Sequence, residues 1–216
     1  LAKTILADIR KTPKRHALAE AARSAQALYE TNVADLDPED IACRAGCGGC
    51  CHSHVGIEPA EAFAILQYLQ ANRTEAETAA LFPRVRQVAQ QVADLNPGSR
   101  WAKQIPCAFL EPDAGTCGIY AARPLACRGY NSLDVEACHL SRLTLDHAVK
   151  MPADGERMGR ANTLRHALAD ATARLLNLRQ TPDHRELHQM LMDALESGSE
   201  MAWGKQMKQR ARAGRL

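Results

Sequence analysis

The sequence predicts a mainly α fold, with helices flanking an irregular cysteine-rich middle that carries a short β-hairpin. Three observations lead there. Apolar residues recur at helical spacing on both sides of the chain. Ala, Leu and Arg are plentiful while aromatics make up only 4%, and unbranched side chains lose little rotamer freedom in a helix. Between residues 101 and 130 that rhythm breaks, as Pro106, Pro112, Gly115, Gly118 and Pro124 crowd together.

The elements follow in order. A first helix is expected over Pro13 to Glu30, with Thr12 as N-cap and Leu18, Ala21, Ala22, Ala25, Leu28 and Tyr29 facing the core. Asp37-Pro38-Glu39-Asp40 reads as a second helix start and Gly46 as the residue after its end, which places Cys43 on the last turn. A third helix begins near Glu58-Pro59 and turns Ala62, Phe63, Leu66 and Leu69 to one side. Thr74 and Glu77 match a capping box. The stripe Leu81, Val85, Val88, Val92 and Leu95 follows, with a break or kink expected at Pro83. Asn96-Pro97-Gly98 is expected to end that helix in a turn, and Asp113-Ala114-Gly115 to close a hairpin. Periodicity returns in Met158, Ala161, Leu164, Leu168, Ala171, Leu175 and Leu178. A last helix follows Thr181-Pro182 with Leu187, Met190, Leu191, Ala194 and Leu195.

A chain of 216 residues suffices for one sizeable core. The expected organisation is a single domain over 1–216, with a metal-binding segment at 43–138 between helical regions 1–42 and 139–204. A basic tail at 205–216 is expected to be solvated or frayed. The net charge of +2 does not point to nucleic acid. No apolar run approaches the roughly 20 residues of a membrane span, and the first residues lack the apolar stretch of a secretory signal. The expectation is a cytoplasmic protein without membrane contact, although a chain beginning at Leu1 leaves room for a removed leader.

The chemistry lies in the cysteines. Cys43, Cys47, Cys50 and Cys51 fall within CRAGCGGCC, and Cys107, Cys117, Cys127 and Cys138 follow at near-even intervals. The glycines between Cys47 and Cys50 let the backbone turn so that both sulfurs reach one ion. Adjacent Cys50 and Cys51 fit better on two metal ions, or on two irons of one cluster, than on a single ion. Three alternatives stay open: four disulfides in an exported chain, buried cysteines acting as small hydrophobes, and a structural zinc clamp. The spacing Cys43-x-x-x-Cys47-x-x-Cys50 also matches that of radical S-adenosylmethionine enzymes. The alternating strands and helices of their barrel are missing, so that match reads as coincidence.

CRAGCGGCCH followed by CAFLEPDAGTCGIYAARPLACRGYNS resembles the bacterial YkgJ-like cysteine-cluster family, a zinc- or iron-chelating domain. The resemblance rests on Cys47, Cys50 and Cys51, on Cys107 to Leu110, on Cys117 to Tyr120, and on Arg123-Pro124 with Cys127-Arg128-Gly129-Tyr130. Cys138 matches a late cysteine. Cys43 departs from the pattern, because three residues rather than two separate it from Cys47. The family includes the flagellin lysine N-methylase, associated with an iron–sulfur cluster and S-adenosylmethionine, and that activity does not carry over to this chain.

The resulting expectation is that all eight cysteines hold an iron–sulfur cluster, iron or, alternatively, zinc. Arg123 and Arg128 are expected beside the centre, where positive charge would offset the thiolates or bind an anionic substrate. His52, His54 and Glu58 are further candidate ligands or hydrogen-bond partners. Tyr120 and Tyr130 are expected to pack on the centre with their hydroxyls bonded. His139, His147 and the later histidines read as surface residues. A cluster would transfer electrons or activate a bound substrate, zinc would be structural, and a cluster-assisted modifying enzyme such as a protein N-methylase is the second hypothesis. The partner is an unknown protein or small molecule.

Overall fold

The structure is a computed structural model that describes residues 1–145, 149 and 151–213. It is mainly α, as the sequence predicts, with two small antiparallel strand pairs. A short helix not anticipated from the sequence, α1 (Ala2–Asp8), comes first and buries Ile5. Helix α2 (Ala17–Asn32) buries Leu18, Ala21, Ala22, Ala25 and Tyr29 as expected, and Leu28 packs at its margin. It starts after a 3₁₀ turn at Lys14–His16 rather than at Pro13, which is extended at φ −56°, ψ 139°. The reason is tertiary. The first amides of α2, those of Leu18 and Ala19, donate at 2.7 and 3.2 Å to the buried Glu200 carboxylate far along the chain.

Helix α3 (Pro59–Asn72) begins where predicted, with the Glu58 amide donating to Glu61 at 2.9 Å and Pro59 at the first helical position. Thr74 and Glu77 form the predicted capping box of α4 (Glu75–Gln91). Of the break or kink expected at Pro83, the break does not occur, and α4 runs through it. Pro83 is exposed, so the carbonyl it leaves unpaired lies toward solvent, while Leu81, Val85 and Val88 anchor both halves of the helix in the core. Asn96-Pro97-Gly98 also corrects the reading, because it opens helix α5 (Pro97–Lys103) instead of ending a turn. The Asn96 side chain accepts from the Ser99 amide at 2.9 Å.

In the middle, strand β1 (Gly56–Ile57) is followed by the predicted hairpin, β2 (Leu110–Glu111) and β3 (Thr116–Cys117), with Leu110 opposite Cys117. Helices α6 (Leu125–Gly129) and α7 (Val135–Thr144) lead to the long α8 (Gly155–Leu175). Ala161, Leu164, Leu168 and Ala171 of α8 are buried, whereas Met158 is 40% exposed and Leu178 lies past its end. Strand β4 (Arg185–Glu186) pairs with β1, a pairing the sequence did not suggest, and delivers the chain into α9 (Leu187–Ser197) and α10 (Glu200–Arg212). The basic tail is helical through Arg212, with Lys205, Lys208, Arg210 and Arg212 exposed to solvent as expected. Arg215 and His147 lie outside the described residues.

Helices α2, α3, α8 and α9 share one hydrophobic cluster, and Phe109, Ile119 and Leu125 from the middle insert into it. Gly129 lets α6 cross α8 closely, since a Cβ there would lie 2.4 Å from the Ala161 Cβ. Among the described residues no helix is long and apolar enough to cross a membrane.

Candidate metal centre

The chain reaches the cysteines through a three-residue 3₁₀ turn, Pro38–Asp40, capped by Asp37. No helix extends to Cys43, contrary to expectation. Cys43 instead lies in irregular chain that is tied down where the Ala42 amide donates to the Ser132 carbonyl at 2.7 Å. The turn stops because Ile41 is already extended, at φ −106° and ψ 143°.

Gly46 takes φ +85° and Gly115, at the hairpin turn, φ +64°. These two glycines touch. A Cβ on Gly115 would lie 2.4 Å from the Gly46 carbonyl oxygen, so the first cysteine loop rests its backbone directly on the hairpin. The loop then tightens into a 3₁₀ turn, Gly49–His52, which carries Cys50 and Cys51. The Cys51 carbonyl accepts from the Cys107 amide at 2.8 Å and joins the two halves of the motif.

Cys107 and Cys117 occupy similar turns at the base of the hairpin. In each, the amide two residues on donates to the sulfur: Phe109 to Cys107 and Ile119 to Cys117. Those same residues are the apolar anchors in the core, so burial of Phe109 and Ile119 fixes the amides that face the thiols. Cys127 is presented by α6 and Cys138 by α7, whose Asp134 cap accepts from the Glu136 and Ala137 amides at 2.8 and 3.1 Å. The Trp101 indole donates to the Ser141 carbonyl at 3.2 Å and pins α7 to α5.

All eight cysteines, Cys43, Cys47, Cys50, Cys51, Cys107, Cys117, Cys127 and Cys138, line one cavity of about 290 Å³. Each is a free thiol, so the disulfide alternative is not realised. Cys47 and Cys50 are exposed and the other six partly so. Among the described residues, no group of three or more His, Cys, Asp or Glu side chains is arranged as it stands to hold a metal ion. The thiols surround the space and would have to close on an ion within it. In kind, the donor set fits zinc or iron, which soft thiolates bind well.

The electrostatics point the same way. Burial pushes the Cys107 thiol up to about 11 and the Cys127 thiol well above its ordinary value, and neighbouring cysteines add to both shifts. Burial likewise raises Cys43 and Cys117, while Cys50 is raised first by its hydrogen bond with Cys51. Shared burial is the main cause, and each neighbouring thiolate adds to it by disfavouring the next. Around them stand Arg44, Arg100, Arg123, Arg128 and Arg142, and no Asp, Glu, Lys or His among the described residues lines the cavity.

The two arginines singled out from sequence differ. Arg123 lies 3.8 Å above the Tyr120 ring, and its buried Nε has no hydrogen-bond partner among the described residues. Arg128 borders the cavity, but its guanidinium is spent on Glu30 and on the carbonyls of Arg123 and Ala121 at 2.8 and 2.6 Å. It clamps α6 to α2. Tyr130 fits its expected place, with its hydroxyl bonded to Ser53, whereas Tyr120 is 61% exposed at the rim beneath Arg123.

None of His52, His54 and Glu58 lines the cavity. The His52 ring is 3.3 Å from the Gly49 carbonyl, within its own turn. His54 Nδ1 and Glu58 Oε2 are buried without hydrogen-bond partners among the described residues. Burial, followed by the charge of Glu61, pushes the Glu58 carboxyl up to about 8.

Sequence reasoning missed Arg100, Trp101 and Arg142 on the cavity wall, as well as Glu186 and His188 behind it. His139, His166 and His184 are exposed as expected, but His188 is fully buried. Arg142 follows Cys138 by one helical turn in α7, whereas no local spacing connects Glu186 and His188 to the cysteines, and the β1–β4 pairing brings them near.

No curated protein and no solved structure matches the chain. A family model described as "CxxCxxCC: Putative zinc- or iron-chelating domain" matches residues 42–148, a span that contains every cysteine. The cysteine-bearing middle, residues 42–148, thus matches the CxxCxxCC family, whose model describes zinc or iron chelation.

Proposed function

We propose that the protein holds a polynuclear thiolate centre, an iron–sulfur cluster in the first instance, through the eight cysteines of this cavity. The observation that carries the reading is that cysteines from separate loops, a hairpin and two helices all border one space of about 290 Å³. A single tetrahedral zinc ion needs only four of them, and adjacent Cys50 and Cys51 divide naturally between two metal atoms. Such a centre, when bound, supplies electron transfer or activation of a coordinated substrate. The chain's own contribution is to aim the Phe109 and Ile119 amides at two sulfurs and to place Arg123 where its charge offsets the thiolates. Free thiols in this number suit a reducing compartment, which favours the cytoplasm. The whole chain acts as one domain in this reading.

Anaerobic purification followed by metal analysis, sulfide assay and a visible spectrum tests it. Brown protein with iron and acid-labile sulfide is the expected result. Colourless protein with stoichiometric zinc would instead support a structural centre and overturn the cluster. A second reading, a cluster-dependent modifying enzyme, is favoured by the exposure of Cys47, Cys50 and Tyr120 on the open side of the cavity. A substrate-induced change in the cluster's spectrum would distinguish it from an electron carrier.

A further inference from the structure

Behind Cys107 lies a chain of polar side chains that the family segment does not contain in full. Arg100, Glu186 and His188 are 1%, 3% and 0% exposed, and Glu186 and His188 fall outside residues 42–148. Arg100 borders the cavity and donates to Glu186 Oε1. Glu186 Oε1 also lies 3.0 Å from His188 Nδ1, and Oε2 accepts from the His188 amide at 2.7 Å. At the far side of the ring, His188 Nε2 is 3.0 Å from the Ala108 nitrogen.

That last contact settles the tautomer. The Ala108 amide can only donate, so Nε2 accepts, the ring proton sits on Nδ1, and it points to Glu186. His188 is then neutral, and Arg100 supplies the charge that balances Glu186. Burying such a group is costly, and capping α9 alone would need only one small polar side chain. What the arrangement adds is a fixed acceptor for one backbone amide of the Cys107 turn. The Phe109 ring stacks on the imidazole, with centroids 6.2 Å apart and planes at 18°, so the next residue is held as well. Phe109 is the residue whose amide donates to the Cys107 sulfur.

We propose that Arg100, Glu186 and His188 form a positioning relay for the Cys107 ligand. His188 holds the Ala108 amide and the Phe109 ring, and thereby keeps the Phe109 amide aimed at the Cys107 sulfur. The inference rests on the proposed metal centre. Its logic is that of residues which orient metal ligands without touching the metal, where loss typically costs about 10–100-fold in affinity.

The test loads the full chain with Co²⁺ alone and follows its thiolate charge-transfer bands and its transfer to a chelator. Three variants are compared with the parent: His188→Leu, which has no acceptor; His188→Gln, whose amide oxygen can stand where Nε2 does; and Leu191→Ala, a core substitution in the same helix. His188→Leu should release Co²⁺ about 10–100-fold faster and shift the bands. His188→Gln should restore most of both, and Leu191→Ala should lower Tm without changing either. The proposal is overturned if His188→Leu and Leu191→Ala alter release alike at matched loss of Tm, or if Gln behaves as Leu does. Should the parent take up no Co²⁺, the metal-centre reading itself fails. The relay is then decided by alkylation of Cys107, faster in His188→Leu than in the parent or His188→Gln if the relay holds the turn, and equal in all three if it does not.

Discussion

The helical flanks and the cysteine middle of this protein are built on different physics. In α2, α3, α8 and α9 the buried surface is mainly Ala, Leu, Ile and Met, with Tyr29 and Phe63, packed side chain to side chain. Between Cys43 and Ser53 the buried residue of the turn is Gly49, and the contacts are backbone on backbone, such as Gly115 against the Gly46 carbonyl. The flanks thus stabilise themselves by removing apolar surface from water. The middle has no comparable apolar packing of its own, so a metal bound by the thiols would add directly to its stability. Phe109, Ile119 and Leu125 are the exceptions that fasten one region to the other.

That contrast can be broken at either end. Metal removal should have the largest effect, because thiolate-bound metal can supply on the order of 10 kcal/mol to the segment it ties. Chelation should strip amide hydrogen-exchange protection from residues 43–55 and 107–120 while α2, α3 and α8 keep theirs. Uniform loss across the chain would show that the two regions do not differ as described.

Leu168→Ala should do the reverse. It removes a fully buried side chain from α8 and should cost about 2–5 kcal/mol in denaturant unfolding, with metal stoichiometry of the folded protein unchanged. A drop in stoichiometry at full folding would mean that the core and the site are a single cooperative unit.

Glu58 sits at the seam, as the residue that leads from the cysteine loop into α3. Its carboxyl is raised from 4.5 to about 8, chiefly by burial. A raised acid binds its proton more tightly when folded. Its contribution is therefore fully present below about pH 4.5 and lost as the pH climbs through about 8. Glu58→Gln should remove that slope and leave the variant more stable than the parent at pH 8 and above, by roughly 3 kcal/mol. Parallel stability curves for the two proteins from pH 5 to 8 would refute the assignment.

The smallest effect belongs to Gly115→Ala, at about 2 kcal/mol from the left-handed backbone, with a further contribution from the contact with Gly46. Faster metal release with unchanged melting of the helices is the expected outcome. An equal loss in both would place the hairpin within the helical core's cooperative unit.

Much of this architecture was legible because it is written in local chemistry. The Thr74–Glu77 box, the Glu58-Pro59 start of α3 and the Asp113-Ala114-Gly115 turn each depend on residues within a few positions of one another. So does the periodicity that places Leu164, Leu168 and Ala171 inward. The errors arose where a distant partner outweighed local preference. Pro83 does not break α4 because residues on both sides of it are anchored in the core. The start of α2 is set by Glu200, and no local cap at Thr12 competes with it.

For the site itself, the sequence alone determined which atoms are available: eight thiols, the glycines that let their backbones approach, and the arginines nearby. Spacing along a chain constrains only neighbours, so it told how Cys47 and Cys50 relate but not that Cys43 and Cys138 border the same space as Cys107. Tertiary structure decided that, together with the division of labour between Arg123 at the cavity and Arg128 in its clamp with Glu30. It also placed the buried relay of Arg100, Glu186 and His188 behind Cys107. The physical reason is that donors and charges find their partners through space, and the packing of α5, α9 and the β1–β4 pair brings those partners within reach.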